Sequence, residues 1–201
     1  MKDKMKYSII DSTALGVAEE AIKSLKGLTD QSNYSEMGFE SIAEVDKAEL
    51  GTPMRVHYMW IKEIKNASLN INDLVHDGNE LLYPVKVGGV VRSAITIKMK
   101  NHQWEVASLG QAAIIKAIVG LRESNLKSAK NNMSDYFLIK VPEIYQMYLA
   151  HFDTSDNLQT SNLFDHAPSG AKSLQSQNGN NLIANLREYA KGHTNALTEK
   201  K

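Results

Sequence analysis

Between Glu80 and Leu109 the chain alternates apolar and other residues through two turn pairs, and no other feature constrains its fold as strongly. Val91, Ser93, Ile95, Ile97 and Met99 fall on one face of the middle stretch, and Arg92, Thr96, Lys98 and Lys100 on the other. A period of two is that of a strand with one covered face. Gly88-Gly89 supplies the positive φ that a two-residue hairpin turn demands, and Asn101-His102 makes a second turn. The reading is an antiparallel meander with strands at 80–87, 90–100 and 103–109, Trp104 and Val106 pointing inward. Gly110 ends it, and Ile114, Ile115, Ile118, Val119 and Leu121 mark a helix over 111–123. Ile95, Ile97 and Trp104 are expected beneath that helix, and Arg92, Lys98 and Lys100 in water, as on the solvated side of such a sheet.

Helical spacing of Leu15, Ala18, Ile22 and Leu25 places a first helix over 11–27, and Ser41 with Glu44 has the form of a capping box opening a short helix that ends near Leu50. Met54, Val56, Tyr58 and Trp60 then alternate as a strand, and Asp77-Gly78 reads as a turn. Residues 136–141 are a strand with Pro142 at a bulge or edge. Residues 144–152 continue extended, with a short helix over 142–151 as the alternative, and 154–157 turn into a strand at 158–164. Residues 165–179 read as a long loop, and 180–191 as a closing helix with Leu182, Ile183, Leu186, Tyr189 and Ala190 on its buried side. The expected fold is therefore α+β: a curved antiparallel sheet of five to six strands, an N-terminal helix, a helix after the central meander and a C-terminal helix. All 201 residues are expected in one domain, with flexible ends at 1–10 and 193–201.

Charge narrows the function classes. Lys plus Arg and Asp plus Glu both number 23, so the chain has no excess of cations with which to displace phosphate counterions, and no nucleic-acid partner is expected. There is no cysteine, which removes disulfides, thiolate metal sites and cysteine nucleophiles together. No apolar run approaches the roughly 20 residues of a transmembrane helix. Residues 1–6 are charged like the start of an export signal, but 7–16 are too polar for its apolar core. The expected location is periplasmic or secreted if a signal has been removed, and cytoplasmic otherwise.

Leu50-Gly51-Thr52-Pro53, Tyr83-Pro84-Val85, Gly89, Arg92-Ser93, Ile95-Thr96-Ile97, Trp104-Glu105-Val106, Leu109-Gly110 and Val141-Pro142 together form a pattern over residues 41–164. This pattern resembles uncharacterised bacterial α+β domains, often exported, of cystatin-like or NTF2-like type. The resemblance implies a helix packed on a curved sheet and carries no catalytic motif with it.

Candidate chemistry is sparse. Six histidines stand at 57, 76, 102, 151, 166 and 193, and no pair has the spacing of a zinc-binding His-Glu-x-x-His. His151, Asp153 and His166 converge if 144–152 and 158–164 form a hairpin, and His with carboxylate suits base catalysis or a metal. Exposed strand ends carry the same residues without any function. Asp73, Asp77, Asn79 and Glu80 around Gly78 miss the frame of a calcium loop. Residues 168–173 lack the earlier glycine and context of a phosphate loop, and no Gly-x-Ser-x-Gly is present. Tyr58, Trp60 and Trp104 can line a cleft, or simply fill a core. Arg92 heads a basic strip that can meet an anion. The expected function is a non-enzymatic binding domain for a partner protein or small ligand through Tyr58, Trp60, Trp104 and Arg92, without cofactor or metal. The alternative is a hydrolase or metal-dependent enzyme built on His151, Asp153 and His166.

Overall fold

A computed structural model describes residues 12–65, 71–128, 132–163 and 177–192. Two compact units divide the chain. The first comprises Met1–Val56 and Gly78–Tyr136, the second His57–Asp77 and Phe137–Lys201.

In the first unit the meander is present, with β3 (His76–Val87), β4 (Val90–Lys100) and β5 (Gln103–Gly110) paired antiparallel in sequence order. Gly88 and Gly89 have φ of +56° and +83°, and Asn101 and His102 of +49° and +63°. Both turns therefore have the left-handed geometry that suits the twist of a hairpin. Asn tolerates that region and His less so. Replacing Gly88 and Gly89 together by valine should cost more than about 1 kcal/mol in urea unfolding, and an unchanged midpoint would show that the turn is not held in this conformation. β2 (Met54–Tyr58) lies beyond β3, and β1 (Glu49–Leu50) pairs with β3 at Lys86 and Val85.

α1 (Ser12–Leu28) covers one face of this meander. Ala14, Ala18, Ala21 and Leu25 are buried against Leu81, Tyr83, Val85, Ile95 and Ile97. The expected face is rotated, because Leu15 is 42% exposed and the alanines take its place. Small side chains let the helix lie close over the larger ones of the strands. Ile95 and Ile97 are thus buried beneath α1, not beneath the helix after the meander. Trp104 packs at the margin of the same cluster, and Val106 is 43% exposed.

The opposite face of β4 is covered as well. Ala94 and Thr96 are buried, and α5 (Ala112–Ser128) lies against β4. α5 runs past the expected end at Glu123. Its apolar stripe is Ile115, Ile118 and Val119, and the next position at helical spacing is Arg122, also fully buried. Lys98 and Lys100 are exposed as expected, but Arg92 is not. A bulge where Val85 faces Ser93 and Lys86 faces Val91 takes Arg92 out of the alternation. A bulged residue re-aims its side chain.

In the second unit β6 (Phe137–Val141), β7 (Gln146–Phe152), β8 (Leu158–Asn162) and β9 (Gln177–Asn178) pair antiparallel in sequence order. The extended reading of 144–152 holds from Gln146 onward. Pro142–Ile144 is a short 3-10 turn rather than a bulge, with Pro at a position where its missing N–H costs nothing. α6 (Gly179–Gly192) buries Leu182, Ile183, Leu186 and Ala190, while Tyr189 is exposed. Two single turns, α3 (Ile61–Ile64) and α4 (Ile71–Leu74), complete this unit. Asp77-Gly78 lies inside β3 and makes no turn. Most of the loop read at 165–179 falls outside the described residues.

The α+β class and the three longer helices stand as expected. Strands number nine among the described residues, not five to six. Part of the excess is β1 and β9, of two residues each, which are too short to carry any period.

Candidate functional site

The face that β2 presents changes along its length. Met54 and Val56 are buried on the expected side, but beyond them burial passes to His57 and Met59. Tyr58 and Trp60 are left half-buried. Being two apart on extended backbone, they project to the same side. Their rings stack with centroids 5.7 Å apart and planes 9° from parallel. Lys140 Nζ stands 5.9 Å from the Tyr58 ring centroid, on the cation-attracting face of the ring.

The end of β6 and the turn after it are each fastened to this segment by one bond. Met59 donates its N–H to the Lys140 carbonyl at 2.9 Å, and Ile61 donates its N–H to Glu143 Oε1 at 3.3 Å. The turn closes with Tyr145, whose N–H bonds the Pro142 carbonyl at 3.1 Å. Tyr145 has φ +53° and is 89% exposed. A left-handed tyrosine costs roughly 1 kcal/mol or more of backbone strain. Sequence reasoning placed Tyr145 inside a strand and missed it. The usable signal was Pro142-Glu143, a helical first turn too short to continue.

Trp104 and Arg92 belong to the first unit, and Tyr58 and Trp60 to the second. Trp104 lines a shallow cleft of about 360 Å³ with Thr13, Val17, Met99, His102 and Gln103. Arg92 is buried in an ion-pair knot. Its Nη1 donates to Glu40 Oε1 at 2.6 Å, and its Nη2 to Glu44 Oε1 at 2.7 Å. The other oxygen of Glu44 accepts the Glu40 N–H at 2.9 Å. That bond, with Arg92 beside it, holds the Glu44 carboxyl below its ordinary range, and the bond to Glu44 raises Arg92 in turn. The capping box expected at Ser41 does not form, since Ser41 makes no side-chain cap. Its helix, α2 (Ile42–Val45), is one turn long. Glu44 is committed to Arg92 instead. This knot ties residues 40–44 to the bulge of β4, which accounts for Arg92 without a ligand.

His151 is buried in β7, one residue before its end. Asp153 follows the strand and organises the turn to β8. Its Oδ1 accepts the N–H of Ser155 at 2.9 Å and of Asn157 at 3.0 Å, and its Oδ2 accepts from Gln159 at 2.8 Å. These bonds, the Asn157 N–H first, keep the Asp153 carboxyl below its usual range. His166 lies outside the described residues. Among the described residues no three His, Asp or Glu side chains are grouped as metal ligands would be. No helix among the described residues is long and apolar enough to cross a membrane.

Comparison with known protein families, with curated proteins and with solved structures finds no match for the chain.

Proposed function

We propose that this chain is a non-enzymatic binding domain that engages a partner protein through the aromatic surface around Tyr145, Trp60 and Tyr58. The observation that carries this reading is Tyr145, an aromatic side chain left 89% in water on a backbone that glycine would adopt at less cost. Stability alone gives no reason for a tyrosine there, whereas binding does. Trp and Tyr are the residues over-represented among the few that dominate protein interfaces. Pro142, Ile144 and Met147, all half-exposed on the same turn and strand, add apolar surface around it. Lys140 and the exposed Lys62 supply cations nearby in the chain, which suits a segment combining an apolar anchor with an acidic residue.

The test is selection of binding peptides from a random displayed library against the whole chain, followed by affinity measurement. Tyr145→Ala and Trp60→Ala should each weaken the selected peptides by tenfold or more, about 1.4 kcal/mol, as residues central to an interface do. Peptides that bind both variants as tightly as the parent chain would place the binding surface elsewhere. Tyr145→Gly separates the two roles of this position, because it keeps the turn and removes the ring.

A further inference from the structure

We infer that Arg122 is the anchor of an oxyanion site inside the first unit, independent of the aromatic surface of the second. Helical spacing places it there. Ile115, Ile118, Val119 and Arg122 follow one another at i, i+3, i+4 and i+7, so the guanidinium is carried into the interior by the stripe that packs α5. Arg122 is among the largest side chains of the chain with no exposed surface.

Its partners do not balance its charge. Nη1 donates to the Thr52 carbonyl at 3.1 Å. Nε and Nη2 are buried and have no hydrogen-bond partner among the described residues. These two nitrogens share one edge of the guanidinium plane, where their N–H bonds run parallel. That edge is the fork which accepts a carboxylate or a phosphate through two oxygens at once. The neutral carbonyl at Nη1 engages the other side of the plane, and no described residue bonds the fork edge. A buried cation satisfied only by one carbonyl is among the most costly arrangements a core can hold. Burial accordingly shifts the Arg122 equilibrium away from the charged form, with Glu123 and Tyr136 opposing that shift.

The ligand class follows from the fork. It is a small oxyanion presenting two oxygens in one plane, free or as the head group of a small metabolite. Having no exposed surface, the fork fills only when its surroundings open, so association is slower than diffusion.

The experiment is thermal unfolding of the whole chain in sodium acetate and in inorganic phosphate, each against sodium chloride at matched ionic strength. Either anion should raise Tm by about 5 °C once it stands at a hundred times its dissociation constant, as mass action requires. Acetate alone assigns a carboxylate site, and phosphate alone a phosphate site. The rise should vanish in Arg122→Met and shrink in Arg122→Lys, which keeps a cation and loses the fork. The Nε–H resonance of Arg122 should move downfield over the same titration, a readout that does not depend on how stable the variants are. An equal rise in Arg122→Met, or no rise over chloride with a static Nε–H resonance, would overturn the site and leave a fork filled by water.

Discussion

Gly38→Val should leave the protein largely unfolded, and Gly38→Ala should already lower its stability by roughly 3–5 kcal/mol. Gly38 has φ +100°, a conformation that a side chain rarely adopts. A Cβ at this position would stand 2.1 Å from the Arg92 carbonyl oxygen and 2.5 Å from the Ala112 Cβ. Neither neighbour can yield. The carbonyl belongs to the bulge of β4, and Ala112 opens α5, so relief requires moving a strand or a helix. The cost is therefore overpacking added to backbone strain. Gly16 provides the control within the same unit. It lies on the exposed side of α1, and a Cβ there meets nothing within 4 Å. Gly16→Ala should stabilise by about 0.5–1 kcal/mol through the unfolded chain and helix propensity. Urea midpoints for the two alanine variants should move in opposite directions. Parallel shifts would show that Gly38 is not held against β4.

Gly38 was silent in the sequence, and the reason is general to what was missed. Alternation and helical spacing report which residues share a face, and they placed β4 at its observed bounds and α1 and α6 within a residue or two. They do not report which helix covers which face. The meander was assigned one covered face, whereas α1 and α5 leave β4 buried on both, with Ala94 and Thr96 the small residues that admit α5. Nor does a period survive a bulge. Arg92 has the parity of the wet lysines, and one extra residue sends it to Glu40 and Glu44. The capping box missed by one residue: Glu44 accepts the backbone N–H of Glu40 rather than that of Ser41, and its other oxygen takes Arg92.

The candidate surface was half legible. Tyr58 and Trp60 stood out as alternating aromatics, and they do stack. Trp104 is expected beside them in a cleft under one curved sheet and Arg92 on a basic strip of that sheet, and both lie in the other unit. Tyr145 needed the turn geometry, which depends on Pro142 beginning a helical turn that β7 then overrides. Arg122 needed only the helical wheel. It stands seven residues after Ile115 on the stripe of Ile115, Ile118 and Val119, where a charged residue near a helix end is ordinarily in water.

Ile97→Ala should cost roughly 2–5 kcal/mol, while Lys98→Ala should lie within about 0.5 kcal/mol of the parent. The two residues are adjacent on β4 and differ in what covers them. Ile97 is completely buried, in one cluster with Leu81 across the hairpin and with the α1 alanines. Removing its three outer carbons leaves a cavity that alanines on a helix cannot refill, so the loss includes the void as well as the transfer term. Lys98 is exposed beside Glu80 and Glu105 on the neighbouring strands, and pairs of that kind in water contribute little. The contrast tests the register itself. A slip of one residue would exchange the two faces, carrying Lys98 onto the face that α1 covers and taking Ile97 off it. Urea unfolding of both variants decides it. Near-equal small effects would mean that β4 is not seated against α1 as described, and a large effect at Lys98 with a small one at Ile97 would mean that the register is displaced by one.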